Sequence, residues 1–306
     1  MMKPKILSVV GTNASGKSDL AVKLAKRFNG EIISADSRQL YTGLDLGTGK
    51  LTVEEMDGIP HYMIDILDVN TMYSVVDYQQ AAYRIIDDIL SRGKLPIIAG
   101  GTGLYTRAVI KGYTFSDIGQ NDELRAQLEE MTTEALYEKL KGISKEAAAR
   151  NTASNRRRII RALEKYEAMG EAGLEEGYEP HYETLQLGVT WPNEVLHQRI
   201  NERMTRRFDQ GMLEEVKGLL EQGATGEFME ALGLEYRYIY RYIRGDFKTK
   251  EELYSELSRA IKRFAKQQKT WFRKDQDIHW LAMDQNPEKE AIELVEAYLK
   301  DHAKEN

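Results

Sequence analysis

One glycine-rich segment near the amino terminus constrains the fold of this chain more than any other feature. Residues 11–18 read GTNASGKS and fit the pattern G-x-x-x-x-G-K-[ST]. The apolar run Ile6–Val10 precedes the segment, and a helical pattern from about Gly16 to Phe28 follows it. A strand, a glycine loop and a helix in this order direct backbone N–H groups and a helix N-terminus at one anion. The segment therefore predicts an α/β fold with a P-loop-like parallel-sheet core and a bound diphosphate or triphosphate.

Each position of this phosphate loop has an expected part in holding the anion. Lys17 would supply a positive charge, and the hydroxyl of Ser18 would ligate Mg²⁺. A chance match on a glycine-rich turn is the alternative, and the strand and helix on either side argue against it. The expected diphosphate-binding residues are Gly11, Thr12, Asn13, Ala14, Ser15, Gly16, Lys17 and Ser18.

The distribution of apolar runs predicts how the rest of the chain is organised. In the first third, short apolar runs alternate with helical patterns, which is typical of a parallel sheet, with strands expected at 5–10, 31–34, 61–66 and 95–99. From about residue 113 the patterns are mostly helical, until the apolar run Leu185–Val189. We therefore expect a catalytic core of residues 1–112 and 190–306, with a mostly helical insertion at 113–189. A single long helix is expected from Pro192 to about Gln222.

Composition excludes several kinds of chemistry. The chain of 306 residues has no cysteine, which excludes disulfides, cysteine-ligated zinc and a cysteine nucleophile. The five histidines show no metal-ligand spacing. No apolar run approaches the roughly 18 residues of a membrane span, so we expect no membrane association and a cytoplasmic location. The formal net charge of −6 argues against a general nucleic-acid coat protein but does not describe local basic patches.

Asp36 follows the predicted strand at 31–34. Ligands of open parallel sheets lie outside the carboxyl ends of the strands, so Asp36 is expected to face the phosphate loop. Its carboxylate could act as a general base, with a helix cap or a Mg²⁺ ligand as alternatives. The strand at 95–99 ends in Gly100-Gly101-Thr102-Gly103 without an acid, which weakens an ATPase interpretation. Thr102 is a candidate hydroxyl contact in the same crevice.

Two basic stretches stand out in this acidic chain. Residues 155–161 read NRRRIIR, and residues 237–274 carry basic side chains interleaved with Tyr, Phe and Trp. Cations beside aromatic rings suit an RNA, which offers phosphates and unstacked bases. A solvated helix face with ordinary core aromatics is the alternative for either stretch alone.

These segments together resemble one family, the tRNA dimethylallyltransferases, also called tRNA isopentenyltransferases. The resemblance covers nearly the whole chain, and the pair ADSRQ and GGTGLY is more specific than the phosphate loop. The matching segments are GTNASGKS (11–18), IISADSRQLY (32–41), GIPHYMIDILD (58–68), YSVVDY (73–78), GGTGLY (100–105), RRIIRALE (157–164), RFAKQQKTWFRKD (263–275) and IHW (278–280).

The resemblance implies a reaction and the residues that perform it. A dimethylallyl group would pass from its diphosphate, held with Mg²⁺ in the phosphate loop, to N6 of the adenosine directly 3′ of the anticodon in tRNA. Asp36 would remove the amine proton, and Asn13 and Arg203 would act on the diphosphate. We expect a monomer that binds the anticodon stem-loop of tRNA. The implied tRNA-binding residues are Asp36, Ser37, Arg38, Gln39, Thr102, Arg157, Arg158 and Arg161.

The chain departs from the family pattern in three places. Thr12-Asn13 replaces Pro-Thr, so either the Asn13 amide would hold the bridging oxygen that the threonine hydroxyl holds in the family, or the site is altered. Lys266-Gln267-Gln268 replaces Lys-Arg-Gln, and residues 232–236 read LGLEY where the pattern has IGYKE.

Three other functions compete with this interpretation. They are an isopentenyltransferase acting on free adenylate, a small-molecule P-loop kinase with ATP as donor, and an RNA-binding protein with a relic loop. The arginine cluster favours tRNA over a free nucleotide. The presence of Lys17, Ser18 and Asp36 argues against an RNA-binding protein with a relic loop.

Overall fold

The computed structural model describes residues 3–115, 118–119, 121–175 and 177–300. The chain divides into two units. The core unit comprises the chain up to Ile110 and from Pro180 onwards, and the second unit is Lys111–Glu179. None of the described helices is both long enough and apolar enough to cross a membrane.

The described residues form eight strands, fourteen α-helices and one 3₁₀ helix. The strands are β1 (Lys5–Gly11), β2 (Gly30–Ser34), β3 (His61–Tyr62), β4 (Leu95–Gly100), β5 (Tyr113–Thr114), β6 (Gly177–Tyr178), β7 (Glu183–Thr190) and β8 (Ile278–Ala282). The helices are α1 (Lys17–Arg27), α2 (Val53–Met56), α3 (Val75–Ser91), α4 (Gly103–Ile110), α5 (Asp122–Glu129), α6 (Thr133–Ile143), α7 (Lys145–Arg150), α8 (Arg156–Met169), α9 (Asn193–Asp209), α10 (Met212–Glu221), α11 (Gly226–Leu232), α12 (Leu234–Ile243), α13 (Lys250–Phe272) and α14 (Pro287–Lys300), with the 3₁₀ helix at Gly170–Leu174.

The core unit is built on a six-stranded sheet with the order β3-β2-β4-β1-β7-β8. Every neighbouring pair is parallel, which confirms the predicted parallel sheet. Because β4 lies between β1 and β2, the loops that leave these three strands emerge side by side at one edge of the sheet. That edge carries the phosphate loop, the loop of Asp36 and the loop of Thr102.

Helices cover both faces of the sheet, which explains why its strands are apolar on both sides. Leu7 and Ile97 belong to one buried cluster, with residues of α1 and α14. Ile33 and Ile98 belong to the other, with residues of α3, α4 and α9–α13. Adjacent residues of a strand point to opposite faces, so runs such as Ile97-Ile98 supply both clusters.

Three expectations from the sequence are corrected by the structure. The insertion does not extend to residue 189, because β7 pairs with β1 along residues 183–189 and belongs to the core unit. The long helix expected from Pro192 is two helices, α9 and α10, separated at Gly211, whose φ of 100° is left-handed. The strand expected at 61–66 is only His61–Tyr62.

The second unit has its own apolar core. Leu128, Leu136, Leu140 and Ile159 are buried together by helices α5, α6 and α8. Glu164 is also buried there, and it accepts hydrogen bonds from Arg125 at 2.6 Å and 3.0 Å. A buried carboxylate stays charged only when it is paired in this way.

A buried ion pair beside the sheet gives the first testable prediction. The carboxylate of Glu31 on β2 accepts two hydrogen bonds of 2.6 Å from Arg92 and one of 2.7 Å from Lys94. These bonds lower the pKa of Glu31 from 4.5 to about 2. Its charge therefore stabilises the fold above pH 4.5, and this contribution is lost as the pH falls towards 2.

We expect Glu31→Gln to lower the free energy of unfolding by about 2 kcal/mol at pH 7, below the full cost of breaking a buried pair because Arg92 and Lys94 can reach water. Urea denaturation at pH 7, 4 and 3 measures the effect. The difference between variant and wild type should shrink as the pH falls. A difference that stays constant down to pH 3 would contradict the assignment.

Candidate active site

The phosphate loop connects β1 to α1. Side chains from outside the loop donate hydrogen bonds to its carbonyl groups. Trp191 donates its indole N–H to the carbonyl of Ser15 at 2.9 Å, and Arg199 donates to the carbonyl of Ala14 at 2.9 Å. A Cβ atom on Gly11 would lie 2.8 Å from Ser15 Oγ, so only glycine fits there. Ser15 Oγ is buried and makes no hydrogen bond within the described part of the chain. The loop therefore contains a buried hydroxyl that a bound anion could satisfy.

Lys17, the first residue of α1, is partly buried, and its Nζ lies 3.4 Å from the carbonyl oxygen of Thr12. Burial, together with repulsion from Arg203 and Arg207, lowers the pKa of Lys17 to about 8, against an opposing effect of Asp36. The charged form of Lys17 is thus disfavoured mainly because its amine is removed from water. An anionic ligand would restore the full charge of Lys17.

The loops after β2 and β4 are joined by hydrogen bonds. The backbone N–H of Thr102 donates to the carbonyl of Ala35 at 3.0 Å, and Thr102 Oγ1 accepts from the backbone N–H of Ser37 at 3.1 Å. Asp36 Oδ1 accepts from the backbone N–H of Arg38 at 3.1 Å. Across residues 3–115, 118–119, 121–175 and 177–300, no group donates a hydrogen bond to Asp36 Oδ2. One oxygen of Asp36 is therefore held in place and the other is available.

A cavity of about 270 Å³ opens where these loops meet α13. Asn13 of the phosphate loop, Asp36 and Thr102 line one side of it, and Phe264 and Trp271 line the other. The Arg38 guanidinium lies 5.3 Å from the centre of the Phe264 ring. The Trp271 ring packs against Gly103, where a Cβ atom would lie 2.2 Å from a ring carbon. The cavity thus combines a carboxylate, hydroxyls and aromatic surfaces.

Gln268 connects the phosphate loop to the loop after β4, which was not predicted. Its Oε1 accepts from the backbone N–H of Asn13 at 3.1 Å, and its Nε2 donates to the carbonyl of Gly101 at 3.0 Å. Gln268 is 7% exposed. A polar residue on the apolar face of an amphipathic helix is the signal that could have identified it, because Ala265 and Phe272 flank it on that face.

A second, narrow cavity of about 20 Å³ lies beside the phosphate loop. Asn13, Arg203, Arg207 and Glu235 supply its polar groups. Arg203 was a predicted site residue. Arg207, one helical turn further along α9 and 8% exposed, was missed, although buried arginines are rare enough to be informative.

Of the remaining predicted tRNA-binding residues, some line the larger cavity and others do not. Ser37 and Arg38 line the larger cavity with Asp36. Gln39 does not: its amide oxygen accepts from Ser34 at 2.9 Å and its amide nitrogen donates to Gly49 at 3.4 Å.

The predicted arginines of the insertion lie on α8 of the second unit. Arg157 and Arg158 are exposed there. Arg161 donates to the carbonyls of Ile118 and Gly119 and pairs with Glu164 at 3.3 Å.

The donor groups also limit what kind of metal site is possible. No three His, Asp or Glu side chains cluster as metal ligands anywhere in the described ranges. Ser18, in the first turn of α1, offers one hydroxyl. Mg²⁺ is commonly held by few protein ligands together with phosphate oxygens and water, so the residues present fit a magnesium ion that arrives with a diphosphate.

Comparison with known proteins identifies the family. Residues 39–275 match the sequence model of the family described as IPP transferase. A tRNA dimethylallyltransferase of Oceanobacillus iheyensis is 41% identical, over 96% of this chain and 96% of that protein. The crystal structure of a tRNA isopentenylpyrophosphate transferase from Bacillus halodurans superposes with a TM-score of 0.76 at 38% identity, covering 99% of each chain. A eukaryotic dimethylallyltransferase acting on tRNA superposes with a TM-score of 0.83 at 25% identity, covering 97% of this chain and 80% of that one. From the geometry of the site and these similarities, we conclude that the chain belongs to the IPP transferase family.

Proposed function

We propose that this chain transfers a dimethylallyl group from dimethylallyl diphosphate to N6 of the adenosine directly 3′ of the anticodon in tRNA. One observation carries the proposal: Asn13 of the phosphate loop and Asp36, a carboxylate with a free oxygen, line the same cavity as the aromatic rings of Phe264 and Trp271. A diphosphate and a flipped-out base could meet there. The relatives named tRNA dimethylallyltransferase support this reaction over the kinase.

Asp36 is the proposed general base. The lone pair of an adenine amine is delocalised into the ring, so the amine must lose a proton as it attacks. The C–N bond forms at the allylic carbon, the bond from that carbon to the diphosphate oxygen breaks, and the proton passes to Asp36 Oδ2. The hydrogen bond from Arg38 N to Oδ1 keeps the carboxylate oriented.

The phosphate loop and its neighbours stabilise the leaving group. Backbone N–H groups of residues 14–18, together with Lys17 and Arg203, provide positive charge for the departing diphosphate, whereas the N–H of Asn13 donates to Gln268. The Asn13 side chain contacts the bridging oxygen, in the place that threonine has in the family pattern. Ser18 would hold a Mg²⁺ bound to the diphosphate, and this ion would neutralise charge on the leaving group.

The acceptor tRNA uses aromatic and basic surfaces. Phe264 and Trp271 offer faces on which an unstacked base can rest, as in other enzymes that act on flipped bases. The exposed Arg157 and Arg158 of the insertion would bind phosphates of the anticodon stem-loop. Arg161, already bound to Glu164, is proposed mainly to hold α8 in place. The proposal includes action as a monomer, in the cytoplasm.

A transfer assay tests the proposal. Purified protein is incubated with Mg²⁺, dimethylallyl diphosphate and one of three acceptors: unmodified tRNA, the same tRNA with guanosine in place of the target adenosine, or AMP. Mass spectrometry of the nucleosides should detect dimethylallyladenosine only in the first reaction. Product from AMP but not from tRNA would point to the adenylate enzyme. In a parallel set of reactions with ATP in place of dimethylallyl diphosphate, phosphorylation of an acceptor without any prenyl transfer in the first set would point to the kinase.

A further inference from the structure

Glu235, near the start of α12, has a buried carboxylate that the proposed reaction leaves without a role. The residue is 4% exposed. Its two oxygens face two different arginines: Oε1 lies 3.8 Å from Arg207 Nη1, and Oε2 lies 3.9 Å from Arg38 Nη1. Arg207 lines the narrow cavity beside the phosphate loop, and Arg38 lines the larger cavity. Glu235 therefore faces one arginine of the narrow cavity beside the phosphate loop and one arginine of the larger cavity that Asp36 lines.

Packing, and not Glu235, fixes the positions of both arginines. Neither of these distances is short enough for a hydrogen bond. Arg207 lies against Gly49, where a Cβ atom would be 1.4 Å from Nη2. Arg38 lies against Gly233, where a Cβ atom would be 2.6 Å from Nε, and over the Phe264 ring. A change at Glu235 that preserves its shape should thus alter the charge of the site more than its geometry.

The charge of the site is unbalanced without that carboxylate. Burial lowers the pKa values of Arg203, Arg207 and Lys17, and repulsion from neighbouring arginines lowers those of Arg203 and Lys17 further. Asp36 and Glu235 oppose this effect at Arg203 and Arg207. A diphosphate would add several negative charges to the same place, where Glu235 repels it.

We propose that Glu235 acts through its charge: it shares one negative charge between Arg38 and Arg207 and so limits how tightly the site holds a diphosphate. The inference depends on the proposed function, which places a diphosphate beside Arg203 and Arg207. Diphosphate is also the product that must leave after each transfer. Tight binding of it would not accelerate the chemical step but would slow turnover.

Titration calorimetry with inorganic diphosphate and Mg²⁺ tests the inference. We expect Glu235→Gln to bind diphosphate about tenfold more tightly than the wild type, because it removes a nearby like charge. Its thermal midpoint should fall, since the two arginines lose their counter-ion. Glu235→Asp keeps the charge and should bind as the wild type does. The matched control is Glu230→Gln on α11, whose carboxylate pairs with Arg241 at 2.7 Å and lines neither cavity.

Tighter binding by a less stable protein is a result that a purely structural role would not produce. Glu235→Lys is a second variant, which should bind diphosphate more tightly still. Unchanged or weaker binding by either folded variant would overturn the inference. Wild-type protein that binds no diphosphate at all would instead contradict the proposed function.

Discussion

Replacing Lys17 with alanine should weaken the binding of inorganic diphosphate about a hundredfold, which is the scale for removing one partner of a desolvated charge pair. Lys17 is the loop's own cation, and the folded protein already holds it in a site that lowers its pKa to about 8. The loop N–H groups and the dipole of α1 remain in the variant, so some affinity should persist. Titration calorimetry at pH 7 with Mg²⁺ measures the loss, and prenyl transfer should fall with it.

Lys23 provides the control for this variant. It lies on the same helix, its side chain is 55% exposed, and it pairs with Glu288 at 2.6 Å. Lys23→Ala should leave the affinity for diphosphate within about twofold of wild type, because exposed ion pairs contribute little. Equal affinities for the wild type and Lys17→Ala would exclude the phosphate loop as the diphosphate site.

Local sequence patterns were sufficient to predict the sheet edge of the site. The motif at 11–18 and the acid at position 36 each follow a short apolar run, and parallel strands bring their carboxyl ends to one edge. The connection between Thr102 and Ser37 needs no more than that β2 and β4 are neighbours. The parallel sheet of the predicted P-loop α/β fold is thus confirmed.

The contacts that helices α9, α12 and α13 make in the site could not be predicted from local sequence patterns. Asn13 and Gln268 are separated by 255 positions in the chain, and their hydrogen bond depends on how α13 packs over the sheet. Arg207 and Glu235 meet for the same reason, through α9 and α12. Sequence periodicity identifies the buried face of a helix but not the helix or loop it meets.

The corrected boundaries have local causes. Apolar spacing continues from α9 into α10, so periodicity alone indicated one helix, while Gly211 ends the first helix through its left-handed backbone. The apolar run Leu185–Val189 stands at the end of the predicted insertion, whereas the structure includes it in β7 of the core unit. Its pairing with β1 is a non-local contact that the pattern does not contain.

The largest expected effect on catalysis is at Asp36. Asp36→Asn should lower the rate of transfer by roughly 10²–10⁴, the usual contribution of a general base. The swap is nearly isosteric, and an asparagine Oδ1 can still accept the hydrogen bond from Arg38 N. The fold and the binding of tRNA and diphosphate should therefore be retained. What is lost is the proton acceptor at the second oxygen, so kcat falls while KM changes little.

Single-turnover kinetics across a Mg²⁺ series distinguish the three roles that Asp36 could have. A general base gives a slow step that added Mg²⁺ does not restore. A metal ligand gives weakened Mg²⁺-dependent diphosphate binding that high Mg²⁺ partly restores. A helix or turn cap gives an almost normal rate, because asparagine caps as well as aspartate does.

Asp45→Asn is the control for the Asp36 experiment. Asp45 lies in the same segment after β2, pairs with Lys50 at 2.6 Å and lines neither cavity. An isosteric loss of charge there should leave the single-turnover rate unchanged, which separates a general effect of charge on the loop from a specific one at Asp36. Transfer by Asp36→Asn at close to the wild-type rate, with Asp45→Asn equally active, would rule out Asp36 as the base. The proton acceptor would then have to be another group that reaches the cavity, and the free oxygen of Asp36 would serve only to orient the bound adenine.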